Sequence, residues 1–108
     1  TLGHSNERLN KALFEQAEKI EHILLAGFTH KPAIELAQRL VELAGEPFSK
    51  VFYSDNGSTA VEVALKMAYQ YWYQSGRPEK KKFVAMTDSY HGDTLGSVSV
   101  GGIALYKK

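Results

Sequence analysis

The sequence predicts an α/β fold in which helices are followed by a βαβ unit with parallel strands. Two observations carry this. Apolar residues recur at helical spacing through residues 6–44. Further on, two short runs of β-branched and aromatic residues, "SKVFYS" and "KKFVAMT", flank a long helical pattern. Strand, helix and strand in that order imply parallel pairing through a right-handed crossover.

The first helix is expected over about Asn6 to Ala26, where Leu9, Leu13, Ala17, Ile20 and Leu24 form one stripe. Ser5 or Asn6 can cap its start and Gly27 can end it. The second is expected over Pro32 to Ala44, with Pro32 in the first turn, where a missing N–H costs nothing. Ala33, Leu36, Ala37, Leu40 and Leu43 are its inward face, and Gly45 and Pro47 stop it. The third runs from about Ser58 to Gln74 and is broken by "SGRP". After the second strand, "DSYHGDTLGSVSVGG" is polar and glycine-bearing, with one helical turn expected around Asp93–Gly96.

The chain has 108 residues, 44% hydrophobic and 23% charged, which fits one small soluble domain. Two parallel strands make a poor sheet, so residues 1–108 read as a single partial domain, one slice of a larger sheet. Both ends read as cut. A formal net charge of +1 gives no global field that argues for nucleic acid. The short basic run "PEKKKF" reads as a solvated turn. No stretch approaches the roughly 18 apolar residues of a membrane span. The absence of cysteine suits a reducing cytoplasm and removes thiolate chemistry and Cys-based metal sites. His4, His22 and His30 have no metal-ligand spacing, so no metal is expected.

The chemistry concentrates in two places. In "SDNGST", Gly57 permits a sharp turn and close approach of an anion, and Ser58 and Thr59 add hydroxyls. The unpaired amides at the start of the following helix complete an anion site. The same residues can serve only to start a helix, since Thr59-Ala60-Val61-Glu62 matches a capping box. Neither GxxxxGK[ST] nor GxGxxG is present, which leaves a single phosphate as the ligand this turn could hold. In "SYHGDT", Tyr90 follows the second strand as Gly57 follows the first. In an open parallel sheet both loops face the same edge. There Tyr90 could stack on an aromatic cofactor, and His91 could orient a group or titrate. Ser, His and Asp also occur together in "DSYHGD", but without GxSxG they make no hydrolase.

Taken together, "SDNGSTAVEVALKMAYQYW" and "SYHGDTLGSVSVG" resemble class III (fold type I) pyridoxal-phosphate aminotransferases. The likeness extends through "GHSNERLNKAL" and "LLAGFTHKPAIELAQRLVELAG" and so covers essentially all 108 residues. It implies that the chain is part of the large cofactor-binding domain of such an enzyme. Gly57 and Ser58 match the pair that binds the phosphate of pyridoxal 5'-phosphate. Tyr90 matches the residue that packs on the cofactor ring and borders the substrate pocket. His91 and Gly92 complete that motif in supporting roles, and Tyr69, Tyr71, Trp72 and Tyr73 match an aromatic helix end that packs. Where relatives often have "DSGS", this sequence has "DNGS", a change at Asn56 that preserves the turn.

The "YHGDT" motif and the "QYW" helix end point to the branch of the family in biotin synthesis. There the resemblance implies transfer of an amino group from S-adenosylmethionine or lysine onto 8-amino-7-oxononanoate by a cytoplasmic homodimer. Other readings are an aminotransferase of the same class acting on an ω-amino acid, or a non-catalytic phosphate-binding module. The family's cofactor-anchoring lysine and the aspartate facing the pyridine nitrogen have no counterpart in context here, so no catalytic residue is expected among these 108.

Overall fold

A computed structural model describes residues 1–107, and their regular structure is helical. In order come α1 (Glu7–Ala17), α2 (Lys31–Ala44), α3 (Gly57–Gln74), α4 (Leu95–Ser99) and a 3₁₀ turn, Ala104–Lys107. The chain divides into two compact units, Thr1–Val51 and Phe52–Lys108.

In the first unit, Asn6 caps α1, its Oδ1 accepting the Leu9 amide at 3.2 Å, while Ser5 takes a left-handed turn at φ 57°. The helix stops at Ala17, nine residues short of the expected Ala26. Gln16 closes the last turn by donating its side-chain amide to the Ile20 carbonyl at 3.0 Å. Beyond it, β-branched Ile20 and Ile23 are weak helix formers that need burial to stay helical, and Ile20 remains exposed. Helix α2 matches its expected span within one residue and begins on His30, whose Nδ1 accepts the Ala33 amide at 3.1 Å. Its expected inward face is corrected. Ala33, Ala37 and Val41 are half-buried, whereas Leu36, Leu40 and Leu43 are exposed. On the leucine side of the helix, Leu43 is the barest, 85% exposed.

In the second unit, α3 ends as glycine-terminated helices commonly do. Gly76 sits at φ 75°, the Gly76 amide reaches the Tyr73 carbonyl at 3.3 Å, and the Arg77 amide reaches Trp72 at 2.9 Å. The basic run that follows is more than a solvated turn. Lys80 Nζ lies 3.8 Å from the Trp72 ring centroid and Arg77 lies 5.5 Å from it, both within cation–π range. Tyr69 stacks on Tyr73 and Tyr71 meets Trp72 edge-on, so the aromatic end of α3 packs largely on itself. Helix α4 packs against α3, and its span lies later than the single turn expected around Asp93–Gly96.

The expected βαβ unit is not formed among the described residues. "SKVFYS" and "KKFVAMT" carry no strand ladder. A strand exists only by hydrogen bonding to a neighbour, and these two segments pair neither with each other nor with a third. Their side chains are correspondingly bare, with Val84 fully exposed and Met86 81% exposed. No apolar side chain among the described residues is buried; the one fully buried side chain is that of Ser97. The 108 residues on their own are therefore expected to melt without a sharp cooperative transition and to self-associate through unpaired strand segments. Calorimetry with sedimentation checks this, and a sharp unfolding transition of a monomer at high temperature would refute it.

Candidate cofactor site

The start of α3 is built by four polar residues, Ser54, Asp55, Asn56 and Thr59. Asn56 caps the helix, its Oδ1 accepting the Thr59 amide at 3.0 Å, and Thr59 Oγ1 accepts the Asn56 amide at 3.3 Å. This reciprocal capping box lies three residues earlier than the expected Thr59–Glu62 pair. The helix begins at Gly57, so Thr59 is its third residue and not its cap. Thr59 also donates to Asp55 Oδ1 at 2.7 Å, and Ser54 Oγ lies 2.5 Å from the same hydroxyl.

That arrangement consumes the Asn56 and Thr59 amides and leaves those of Gly57 and Ser58 without a partner among the described residues. Ser58 Oγ accepts the Asp93 amide at 3.2 Å, which leaves the Ser58 hydroxyl proton to donate elsewhere. Gly57 has no positive φ, and a Cβ on it would meet no atom within 4 Å. Nothing among the described residues requires glycine at 57; its bareness opens onto the adjoining space.

That space is an open cleft of about 670 Å³. It is lined by Gly57 and Ser58 on one side and by Tyr90, His91 and Gly92 on the other, with Asn56, Val61, Asp93 and Thr94 completing it. All five residues singled out from the sequence border this one cleft. Tyr90 is 57% exposed, and its hydroxyl donates to Asp93 Oδ2 at 2.7 Å. Gly92 is the point of closest approach. At φ 119° it adopts a backbone that side chains rarely tolerate, and a Cβ there would overlap the Ser58 side chain and lie 2.8 Å from the Ser58 Cα.

One residue of this region carries no local sequence signal for the role it takes. Glu62, one turn after Ser58, turns away from the α3 cap, and its Oε1 accepts the Gly96 amide at 2.6 Å. The Thr94 hydroxyl first, then the Gly96 amide, hold the Glu62 carboxyl below its ordinary 4.5; desolvation opposes them less, and the Ser97 amide adds the smallest push down. The Thr59 hydroxyl chiefly, helped by backbone amides and Ser54, holds Asp55 below its ordinary 3.8.

The chain resembles solved transaminases of the α/β, fold type I class along nearly its whole length. The structure of adenosylmethionine-8-amino-7-oxononanoate aminotransferase from Methanocaldococcus jannaschii matches 96% of it at 45% identity with a TM-score of 0.92. An omega transaminase from Pseudomonas jessenii, solved in complex with PMP, matches 99% of it at 39% identity, also with a TM-score of 0.92. The aminotransferase class-III model matches residues 1–108, and the chain belongs to that family. Among its curated relatives is the adenosylmethionine-8-amino-7-oxononanoate aminotransferase of Geobacter sulfurreducens, 55% identical over 104 residues, 96% of this chain. The enzyme of that name from Staphylococcus aureus is 50% identical over 109 residues. The chain spans about a quarter of the length of these relatives, 23% and 24%. No helix among the described residues is long and apolar enough to cross a membrane.

Two outcomes follow from this geometry. Replacing Gly92 with Ala costs about 1–3 kcal/mol through its left-handed backbone and its overlap with Ser58. It also frees the 89–94 loop from α3, read as faster amide exchange at Asp93. The depressed carboxyls set a sign for pH. Their contribution is complete above about pH 4.5, the ordinary value of Glu62, falls as pH drops through that value, and is gone below the lowered one. Exchange at Gly96 is therefore flat from pH 8 to pH 5, once corrected for intrinsic rates, and rises only in more acid solution.

Proposed function

We propose that this chain supplies the phosphate-binding turn and one wall of the pyridoxal 5'-phosphate site of an aminotransferase of biotin synthesis. The enzyme transfers an amino group onto 8-amino-7-oxononanoate. The observation that carries this reading is the pair of unpartnered amides at Gly57 and Ser58, beside a hydroxyl with a proton to give. They open on a cleft that Tyr90 also borders. An oxyanion placed there takes three donors at the positive end of a helix of 18 residues.

When bound, pyridoxal phosphate supplies an electron sink for breaking and making bonds at the amino-bearing carbon. The residues here do the holding. Gly57 and Ser58 grip the phosphate, Tyr90 covers the ring and borders the substrate, and His91 and Gly92 support Tyr90. Val51–Tyr53 and Phe83–Met86 are parallel strands of the α/β sheet once further strands pair with them, so residues 1–108 form one partial domain. Catalysis also needs a lysine and an aspartate in contexts this sequence does not contain. The partners are small molecules, the amino acceptor and an amino donor, with S-adenosylmethionine favoured over lysine by the relatives' name. The working protein is a cytoplasmic homodimer. An ω-amino acid transaminase is the second reading, favoured by the Pseudomonas jessenii likeness; the higher identity to the Geobacter enzyme, 55% against 39%, supports the first.

The test is equilibrium binding of pyridoxal phosphate to the protein at its cellular length, with amino transfer to 8-amino-7-oxononanoate measured alongside. Ser58→Ala removes one hydrogen bond to a charged group, about 1.5–3 kcal/mol, and so weakens binding on the order of tenfold to a hundredfold. Gly57→Ala is expected to weaken it without lowering stability. Unchanged affinity in both variants overturns the site. Cofactor binding with transfer to a different acceptor overturns the substrate.

A further inference from the structure

Accepting the cofactor reading above, we infer that Glu62 is a positioning residue that clamps the 89–97 segment onto α3 and so sets where Tyr90 stands relative to Gly57 and Ser58. The argument begins with spacing. Ser58 and Glu62 are four apart on one helix and therefore share a face. Each holds the same crossing segment by a backbone amide, Ser58 taking Asp93 at 3.2 Å and Glu62 taking Gly96 at 2.6 Å. Two attachments one turn apart fix both the distance and the direction of a segment, which a single attachment does not. Tyr90 lies three residues before the first attachment and is tied to it through its hydroxyl bond to Asp93.

The chemistry at Glu62 calls for a carboxylate. The Gly96 amide donates to it at 2.6 Å, the nearby Thr94 hydroxyl and Ser97 amide favour its charged form, and an ionised carboxylate only accepts. Glutamine keeps the length but replaces one acceptor oxygen with an N–H₂ that faces donors. Aspartate is one methylene short. The segment is shaped to receive this group, since a Cβ at Gly96 would lie 2.7 Å from the Glu62 Cδ and overlap the carboxylate. The bare α-carbon of Gly96 and the acid of Glu62 form a matched pair 34 residues apart.

The test uses hydrogen exchange by mass spectrometry on the protein at its cellular length, with pyridoxal phosphate affinity on the same samples, for wild type, Glu62→Gln, Glu62→Ala and Ser58→Ala. In Glu62→Gln, exchange across 89–97 is expected to rise about tenfold, with the body of α3 at 64–74 unchanged. Affinity is expected to fall about five- to tenfold. The Ala variant shows the same pattern, larger. Unchanged exchange across 89–97 overturns the inference. Equal loosening of 64–74 also overturns it, because Glu62 would then support the unit as a whole. Weaker binding in Ser58→Ala with full affinity in Glu62→Gln overturns the positioning role and leaves the site reading intact. If wild type takes up no pyridoxal phosphate, the site reading fails, and the exchange arm decides on its own whether Glu62 orders the loop.

Discussion

The second unit depends on one close approach, the backbone of Gly92 against the first turn of α3. A side chain at 92 would need the space that Ser58 occupies, and the local φ of 119° is glycine's territory. Because that contact is permitted, the Asp93 amide reaches Ser58 Oγ, Tyr90 and His91 border the same cleft as Gly57, and α4 comes to rest on α3. Moved away by one side-chain thickness, the loop would leave the helix N-terminus facing open solvent. The helix start and the Tyr-His-Gly loop would then be two unrelated surface features.

The first turn of α3 meets its own capping needs and still leaves two amides over. A helix start must satisfy its orphan amides, and the usual answer is a side-chain cap. Here Asn56 and Thr59 satisfy two amides reciprocally, and Asp55 and Ser54 steady the Thr59 hydroxyl. Capping is therefore completed by neighbours and leaves the Gly57 and Ser58 amides over. Their amides face an open cleft that water can reach, so leaving them unpaired costs little, and an oxyanion there would meet donors already aligned.

Much of this was legible in the sequence, and the failures share a cause. Helices α2 and α3 follow from local rules, apolar spacing bounded by caps and breakers, and the structure places them within a residue of expectation. That the two glycine-bearing loops meet was legible, though from a shared sheet edge; the structure brings them together through Gly92 and Ser58 without that sheet. The strands were not, because "SKVFYS" and "KKFVAMT" have strand-forming side chains, but a strand is a relation between segments. The end of α1 was misread for a similar reason, since the Ile20–Leu24 stripe continues the helical pattern but none of it is buried. At Glu62 the sequence offered one capping box, Thr59–Glu62, but the helix starts earlier and Asn56 and Thr59 cap it instead. That releases Glu62 for a partner 34 residues away that no local pattern announces.

Polar contacts take on an unusual share of the positioning as a result. Where a packed interior exists, loops are held by the apolar residues beneath them. Among the described residues no apolar side chain is buried, and the sole fully buried side chain, Ser97, is itself hydrogen-bonded to Thr94 beside the Glu62 carboxylate. Hydrogen bonds are directional where apolar contacts are not, so a loop held this way is fixed in angle as well as in distance. The cleft geometry thus rests on contacts made within some 40 residues of chain, from Ser54 to Ser97, and on residues whose spacing along α3 sets the angle. A substitution that spares every cleft-lining side chain can still displace Tyr90 if it disturbs Glu62 or Gly96. For that reason the site is better defined by the whole stapled segment than by the residues that border the cleft.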